Sequence, residues 1–248
     1  EILFGDLSTL DAPATRSALE STGMGMTACC VMPEECNPCS EAAAVREAAV
    51  ERLKAMIDIT AEMGGEAIAG PLYSPVRYLT GKPCSNDEWN HCVDVLRAAA
   101  SHAESSGIDM AIEPLNRFET YVINTVADAV RMCREVGSDR LKVQLDTFHA
   151  NIEEKDTAAS IRAAGNYIGH VHASESDRGV PGTGQVRWPE VFAALHDIGY
   201  DRWVTIESFA TGIVDLCAAA CIWRPIYDSA EGLARDGLAF LKESARLN

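Results

Sequence analysis

The sequence predicts an α/β barrel of parallel strands, and three observations carry the prediction. Seven short apolar runs have strand length, helical segments alternate with them, and several runs end in a carboxylate or an imidazole. Strand–helix alternation implies parallel strands joined by helical crossovers. Seven strands are one short of the (β/α)8 TIM barrel. The length of 248 residues suits one such domain spanning 1–248. The chain opens on "EILF" without a Met, so a first βα unit is expected to be missing ahead of it. A doubly wound open sheet is the rival, but no Gly-rich phosphate fingerprint follows any strand.

"EILF" reads as a strand, and "DAPATRSALEST" as a helix with an N-capping Asp. "MGMTACCVM" is a buried strand. "SEAAAVREAAVERLKAMIDITAEMGG" has amphipathic helical spacing, with Ser40 as the expected N-cap and Gly64 or Gly65 as the stop. The strand "EAIAGPL" leads through the loop "YSPVRYLTGKPCS" to the helix "NDEWNHCVDVLRAAASHAESSG". Then come the strand "IDMAIEPL", the helix "TVADAVRMCREVGS" and the strand "LKVQLD", with an acidic turn expected behind it at Glu153 and Glu154. A helix around "DTAASIRAAG", the strand "YIGHVHA", the helix "WPEVFAALHDIG" and the strand "RWVTIES" follow. "EGLARDGLAFLKESARLN" closes the chain as a helix.

A formal net charge of −16 repels polyanions, which argues against nucleic acid and anionic membranes as partners. No apolar run reaches the ~18 residues of a spanning helix. Nine scattered cysteines, an odd number, suit reduced thiols in the cytoplasm rather than a disulfide framework. Cys36 and Cys39 form one CxxC without a second pair at zinc spacing.

In barrels the chemistry sits where strands end. Four strand ends here carry metal-competent side chains: Glu113 in "MAIEPL", Asp146 in "VQLD", His172 in "GHVHASE" and Glu207 in "VTIES". His170 lies two residues before His172 on the same face, so either could be a ligand or a satisfied core histidine. A lone Asp at a strand end is commonly a helix N-cap. Recurrence on four strands argues for a metal: three carboxylates and an imidazole at one mouth repel unless a cation sits among them. Oxygen and imidazole ligands suit Mn²⁺, Co²⁺ or Mg²⁺.

At "EPLNRFE", "LDTFHANIEE", "HVHASESDRGVPGTGQVRW" and "IESF" the chain resembles the ketose 3-epimerases of the xylose isomerase-like TIM barrel superfamily. These include the D-tagatose, D-allulose (psicose) and L-ribulose 3-epimerases. The resemblance implies an isomerase using one Mn²⁺ or Co²⁺ ion, with Mg²⁺ as an option, to invert C3 of a free ketose. Glu113, Asp146, His172 and Glu207 match the family's metal ligands, and Glu113 and Glu207 match its two acid–base carboxylates. Glu119, His149 and Arg178 match groups that hold sugar oxygens. Gly70, Cys30 and Phe209 fall near pocket-lining positions. A dimer or tetramer is implied by the same resemblance.

The chemistry fits the residue types. Inversion through a metal-bound enediolate needs proton removal on one face and delivery on the other, which two carboxylates can share. The loop "GPLYSPVRYL" lacks the tryptophan that some members place over the sugar. The nearest rivals share the metal site: a hydroxypyruvate-type or other sugar isomerase, or a dehydratase. A metal-dependent endonuclease needs a basic groove that this charge does not supply. A sugar-binding protein on a degenerate barrel would not need both carboxylates.

Overall fold

A computed structural model describes residues 1–210 and 213–247. Two compact units divide the chain, Glu1–Gln144 and Leu145–Asn248. The first unit holds β1 (Ile2–Phe4), α1 (Ala12–Thr22), β2 (Thr27–Cys30), α2 (Ala43–Met63), β3 (Ala67–Gly70), α3 (Asn86–Ser106), β4 (Asp109–Ile112), α4 (Val126–Val136) and most of β5 (Leu141–Asp146). The second holds the end of β5, then α5 (Thr147–Glu153), α6 (Thr157–Ala164), β6 (Ile168–Ala173), α7 (Trp188–Asp197), β7 (Val204–Ile206), α8 (Val214–Ala220) and α9 (Ala230–Leu247).

All seven expected strands form, and the paired ones run parallel. Ile2 lies beside Ala28, Ala28 beside Ile68, Ile68 beside Met110, and Met110 beside Leu141. In the second unit His172 lies beside Thr205. Parallel pairing aligns the strand C-termini, so the loops that follow β2, β3 and β4 leave from one edge. Gly70 ends β3 at φ +123°, where a Cβ would stand 2.3 Å from the Cys30 carbonyl oxygen. Only glycine permits that approach, and the Gly70 carbonyl accepts the Glu113 N–H at 3.0 Å.

The longer helices of the first unit, α2, α3 and α4, each bury a run of side chains. On α2 these are Ala49, Leu53, Met56, Ile57, Thr60 and Met63, at i, i+3 and i+4 spacing. Each such Leu or Ile contributes roughly 1.5–3 kcal/mol of transfer free energy. The N-terminus of α3 closes with a capping box between Ser85 and Glu88. Asp11 caps α1 as expected, and Gly64 stops α2.

Three local outcomes differ from the sequence reading. Ser40 does not cap α2; Ala42 stands at that position, and the Ser40 hydroxyl accepts from the Ala42 N–H at 3.2 Å. The Arg46 guanidinium takes the carbonyls of Ser40 and Glu41 at 2.7 and 2.8 Å, which holds the segment short of the helix. Glu153 and Glu154, expected as an acidic turn, are instead the last residue and the C-cap of a helix, α5. α8 was not foreseen. Asn248, the last residue of the expected closing helix, lies outside the described residues. Among the described residues no helix is long and apolar enough to cross a membrane.

Candidate metal centre

Asp146 serves two purposes at once. It is the N-cap of α5, with Oδ1 accepting the Phe148 N–H at 2.6 Å. Capping fixes the carboxylate plane and leaves Oδ2 pointing away from the helix, where Arg178 Nη1 donates to it at 2.7 Å. Thr147, the first residue of α5, ties this tip to the next strand. Its hydroxyl donates to the Ser174 carbonyl at 2.6 Å and accepts the Ser174 N–H at 2.9 Å.

His172 comes from β6 and is fully buried. Glu207 follows β7, its N–H donating to the Ala173 carbonyl and its own carbonyl accepting the Ser174 hydroxyl at 3.0 Å. His172 Nδ1 stands 3.4 Å from Glu207 Oε1. Ligand atoms of Asp146, His172 and Glu207 lie within 4.8 Å of one another. His172 is therefore the histidine that meets the carboxylates; His170 packs its ring edge against it, centroids 5.2 Å apart.

Arg178 is the cation of this group. Nη1 donates to Asp146 Oδ2, to the Ser174 hydroxyl at 2.9 Å and to Glu207 Oε2. Nη2 lies 3.2 Å from His149 Nε2. Since a guanidinium only donates, that nitrogen accepts and the imidazole proton sits on Nδ1. The Arg178 side chain also stacks on Phe148, 3.9 Å from the ring centre, and faces Phe209 at 5.1 Å.

The electrostatics follow from these contacts. Burial alone would raise the Glu207 carboxyl, but Arg178, then His172, outweigh it and hold Glu207 well below the usual carboxylate range. His149 is pushed down to about 3, first by burial and then by Arg178 and His172, against the opposing pull of Asp146. It is neutral at physiological pH. The donor set of two carboxylates and one imidazole fits a hard or borderline divalent ion, and the two carboxylates already converge on positive charge.

The remaining predicted residues stand in the first unit. Glu113 is buried just past β4, its carbonyl accepting the Tyr73 hydroxyl at 2.9 Å. The same hydroxyl reaches the Ile123 carbonyl at 3.1 Å. Glu119 is half-buried, with Oε1 accepting from the Asn116 amide at 2.8 Å and its carbonyl accepting the Arg77 N–H at 2.7 Å. Sequence reasoning assigned nothing to Tyr73, Thr147 or Ser174. For Ser174 the signal was present, since "HASESDRG" places it between two site residues.

A family model described as the xylose isomerase-like TIM barrel matches residues 3–244. A probable ketose 3-epimerase of Synechocystis sp. is 34% identical over 239 residues, covering 96% of this chain and 83% of the relative. Among solved structures, an L-ribulose 3-epimerase aligns with a TM-score of 0.94 at 32% identity, over 99% of this chain and 83% of the other. The D-allulose 3-epimerase from Methylomonas sp. in complex with D-allulose aligns at 0.92 and 32% identity, over 96% and 83% of the two chains.

Proposed function

Because this chain belongs to the xylose isomerase-like TIM barrel family, and within it to the ketose 3-epimerases, we propose that it inverts C3 of a free ketose by proton transfer between two carboxylates. The observation that carries the reading is the gathering of Asp146, His172 and Glu207 around Arg178 and His149. Glu113, Asp146, His172 and Glu207 would hold the ion, Mn²⁺ or Co²⁺ by preference and Mg²⁺ as an option. When bound, the ion supplies positive charge against the enediolate that develops as the proton leaves.

The chain's own residues do the rest. Glu113 and Glu207 would face C3 from opposite sides, one taking the proton and the other returning one. A carboxylate as strongly stabilised as Glu207 is a weak base while Arg178 is against it. Turning Arg178 toward a sugar oxygen would remove the largest of the interactions that lower it, and so would raise the basicity of Glu207. Neutral His149 would hold a sugar oxygen through one ring nitrogen, and Glu119 would orient a hydroxyl. Nine free thiols are compatible with a reducing compartment, and we place the enzyme in the cytoplasm.

The test is turnover of a ketose panel in D₂O with Mn²⁺ or Co²⁺. Deuterium is expected at C3 of the product. Glu113→Gln and Glu207→Gln should each lower kcat by ~10²–10⁴-fold. Interconversion of aldose and ketose with C3 untouched would move the assignment to a sugar isomerase.

A further inference from the structure

Glu175 is fully buried, yet it takes no part in the site described above. Its carboxylate gathers four N–H donors. Oε1 accepts from Ser176 at 2.8 Å and Val186 at 3.0 Å, and Oε2 from Gly182 and from the Trp188 indole, both at 2.9 Å. No Lys or Arg pairs with it among the described residues. Burial would raise its carboxyl, but the donors from Ser176, Trp188, Val186 and Gly182 outweigh burial and hold it below its ordinary value. An ionised carboxylate thus forms the hub of the whole segment 175–188. The segment is shaped around it: a Cβ on Gly184 would stand 2.6 Å from Glu175 Oε1.

The same residue grips Arg178 through its backbone. The Glu175 carbonyl accepts the Arg178 N–H at 2.8 Å, closing the turn that carries Arg178 at φ +66°. A non-glycine residue in that conformation costs of order 1–3 kcal/mol and persists only where its surroundings over-determine it. Its side chain fixes both ends of the loop, and its main chain fixes the turn inside it.

We infer that Glu175 positions Arg178: its buried carboxylate anchors the loop so that the guanidinium lands on Asp146, Glu207 and His149. This deepens the proposed reaction and rests on it for the two kinetic measurements of the test, but not for the proteolysis. In Glu175→Gln the amide must turn an NH₂ toward donors it cannot accept from. In Gly184→Ala a methyl pushes the intact carboxylate away, which supplies a second route if the first variant folds poorly.

Three measurements decide. First, with the metal-loaded enzyme, each variant should lose kcat/KM by about 10²-fold, the scale of a 1 Å misplacement. Melting temperature should fall by a few degrees, because buried N–H groups lose their acceptor, while metal content should stay near wild type. Second, adding Glu175→Gln to Arg178→Lys should cost little more, because both act through one guanidinium. Third, trypsin cleavage of the native protein after Arg178 should accelerate in both variants, relative to cleavage elsewhere. This arm reads the loop even if no tested ketose turns over. Additive losses in the double variant would overturn the inference, and so would unchanged cleavage at Arg178. Cleavage rising everywhere, rather than selectively after Arg178, would reduce Glu175 to a structural role and overturn it equally.

Discussion

Arg77 and Arg178 share one backbone conformation, φ +66°, and little else. Arg178, in the second unit, is buried, and its side chain meets two carboxylates, a hydroxyl and an imidazole. Its carbonyl is held by the Ser208 hydroxyl and its N–H by the Glu175 carbonyl. Arg77, in the first unit, is exposed on the loop after β3, with its N–H on the Glu119 carbonyl at 2.7 Å. A left-handed arginine costs about 1–2 kcal/mol at either place. At Arg178 that cost is set against a buried ionic network that only this geometry completes. At Arg77 the geometry serves a loop connection. The same outlier angle accompanies a buried ionic cluster in one unit and an exposed loop in the other.

Replacing each arginine by glycine relieves the same backbone strain, so the contrast between the two variants isolates the side chain. Arg178→Gly should lose about 3 kcal/mol in urea denaturation of chelator-treated protein, since buried Asp146 and half-buried Glu207 are left without their cation. A divalent ion should then stabilise this variant more than it stabilises wild type, because it replaces the missing positive charge. Equal stabilisation of the two by Mn²⁺ would place the ion away from Asp146 and Glu207.

A second contrast lies in pH. His149 faces Arg178 and is depressed to about 3 in the folded state, against about 6.5 in an unfolded chain. Between those values the unfolded state binds a proton that the folded state refuses, so stability falls as the solution is acidified. The loss should be roughly 1 kcal/mol between pH 6 and pH 5, inside a limiting slope of about 1.4 kcal/mol per unit. His149→Asn keeps an acceptor for Arg178 but cannot be protonated there, and should flatten this part of the curve. An unaltered slope in the variant would show that another group governs acid sensitivity.

Much of this was legible in the sequence because it is local. The seven strands are short apolar runs, and "LKVQLD" became β5 residue for residue. Asp11, Gly64 and Gly137 mark helix ends by chemistry that needs no tertiary information. Asp146, His172 and Glu207, whose ligand atoms come together, were legible as strand-end residues. What failed to show was double use and long range. α5 stayed hidden because recurrence on four strands favoured Asp146 as a ligand over the N-cap reading, and the carboxylate does start a helix. Arg46 displaced Ser40 as the organiser of the α2 entry by reaching back to two carbonyls. The Tyr73 hydroxyl meets Glu113 from 40 residues away, and no periodicity records that. Glu175 sits in the quoted "SESDRG", yet a glutamate in a glycine-rich loop looks solvated until its four donors are counted.

The smallest effect is expected at the other arginine, and it completes the comparison. Arg77→Gly retains the N–H that donates to the Glu119 carbonyl. It removes the Cβ that makes φ +66° costly, a gain of about 1 kcal/mol in the folded state. It also gives the unfolded chain more freedom, which offsets about 0.4–1 kcal/mol. The two nearly cancel, so the melting temperature should move by a few degrees at most, in either direction. Ion pairing at this exposed position adds little to the balance, since surface pairs are typically worth 0–1 kcal/mol. Arg77→Ala keeps the strained angle while losing the side chain, and because the same two terms oppose each other between alanine and glycine, the two variants should differ by less than about 1 kcal/mol. If Arg77→Gly instead loses several kcal/mol, or lowers kcat/KM while Glu119→Gln does the same, then Arg77 belongs with Arg178 as a side chain held in place for function. The loop "YSPVRYL" would then be part of the sugar site rather than its support.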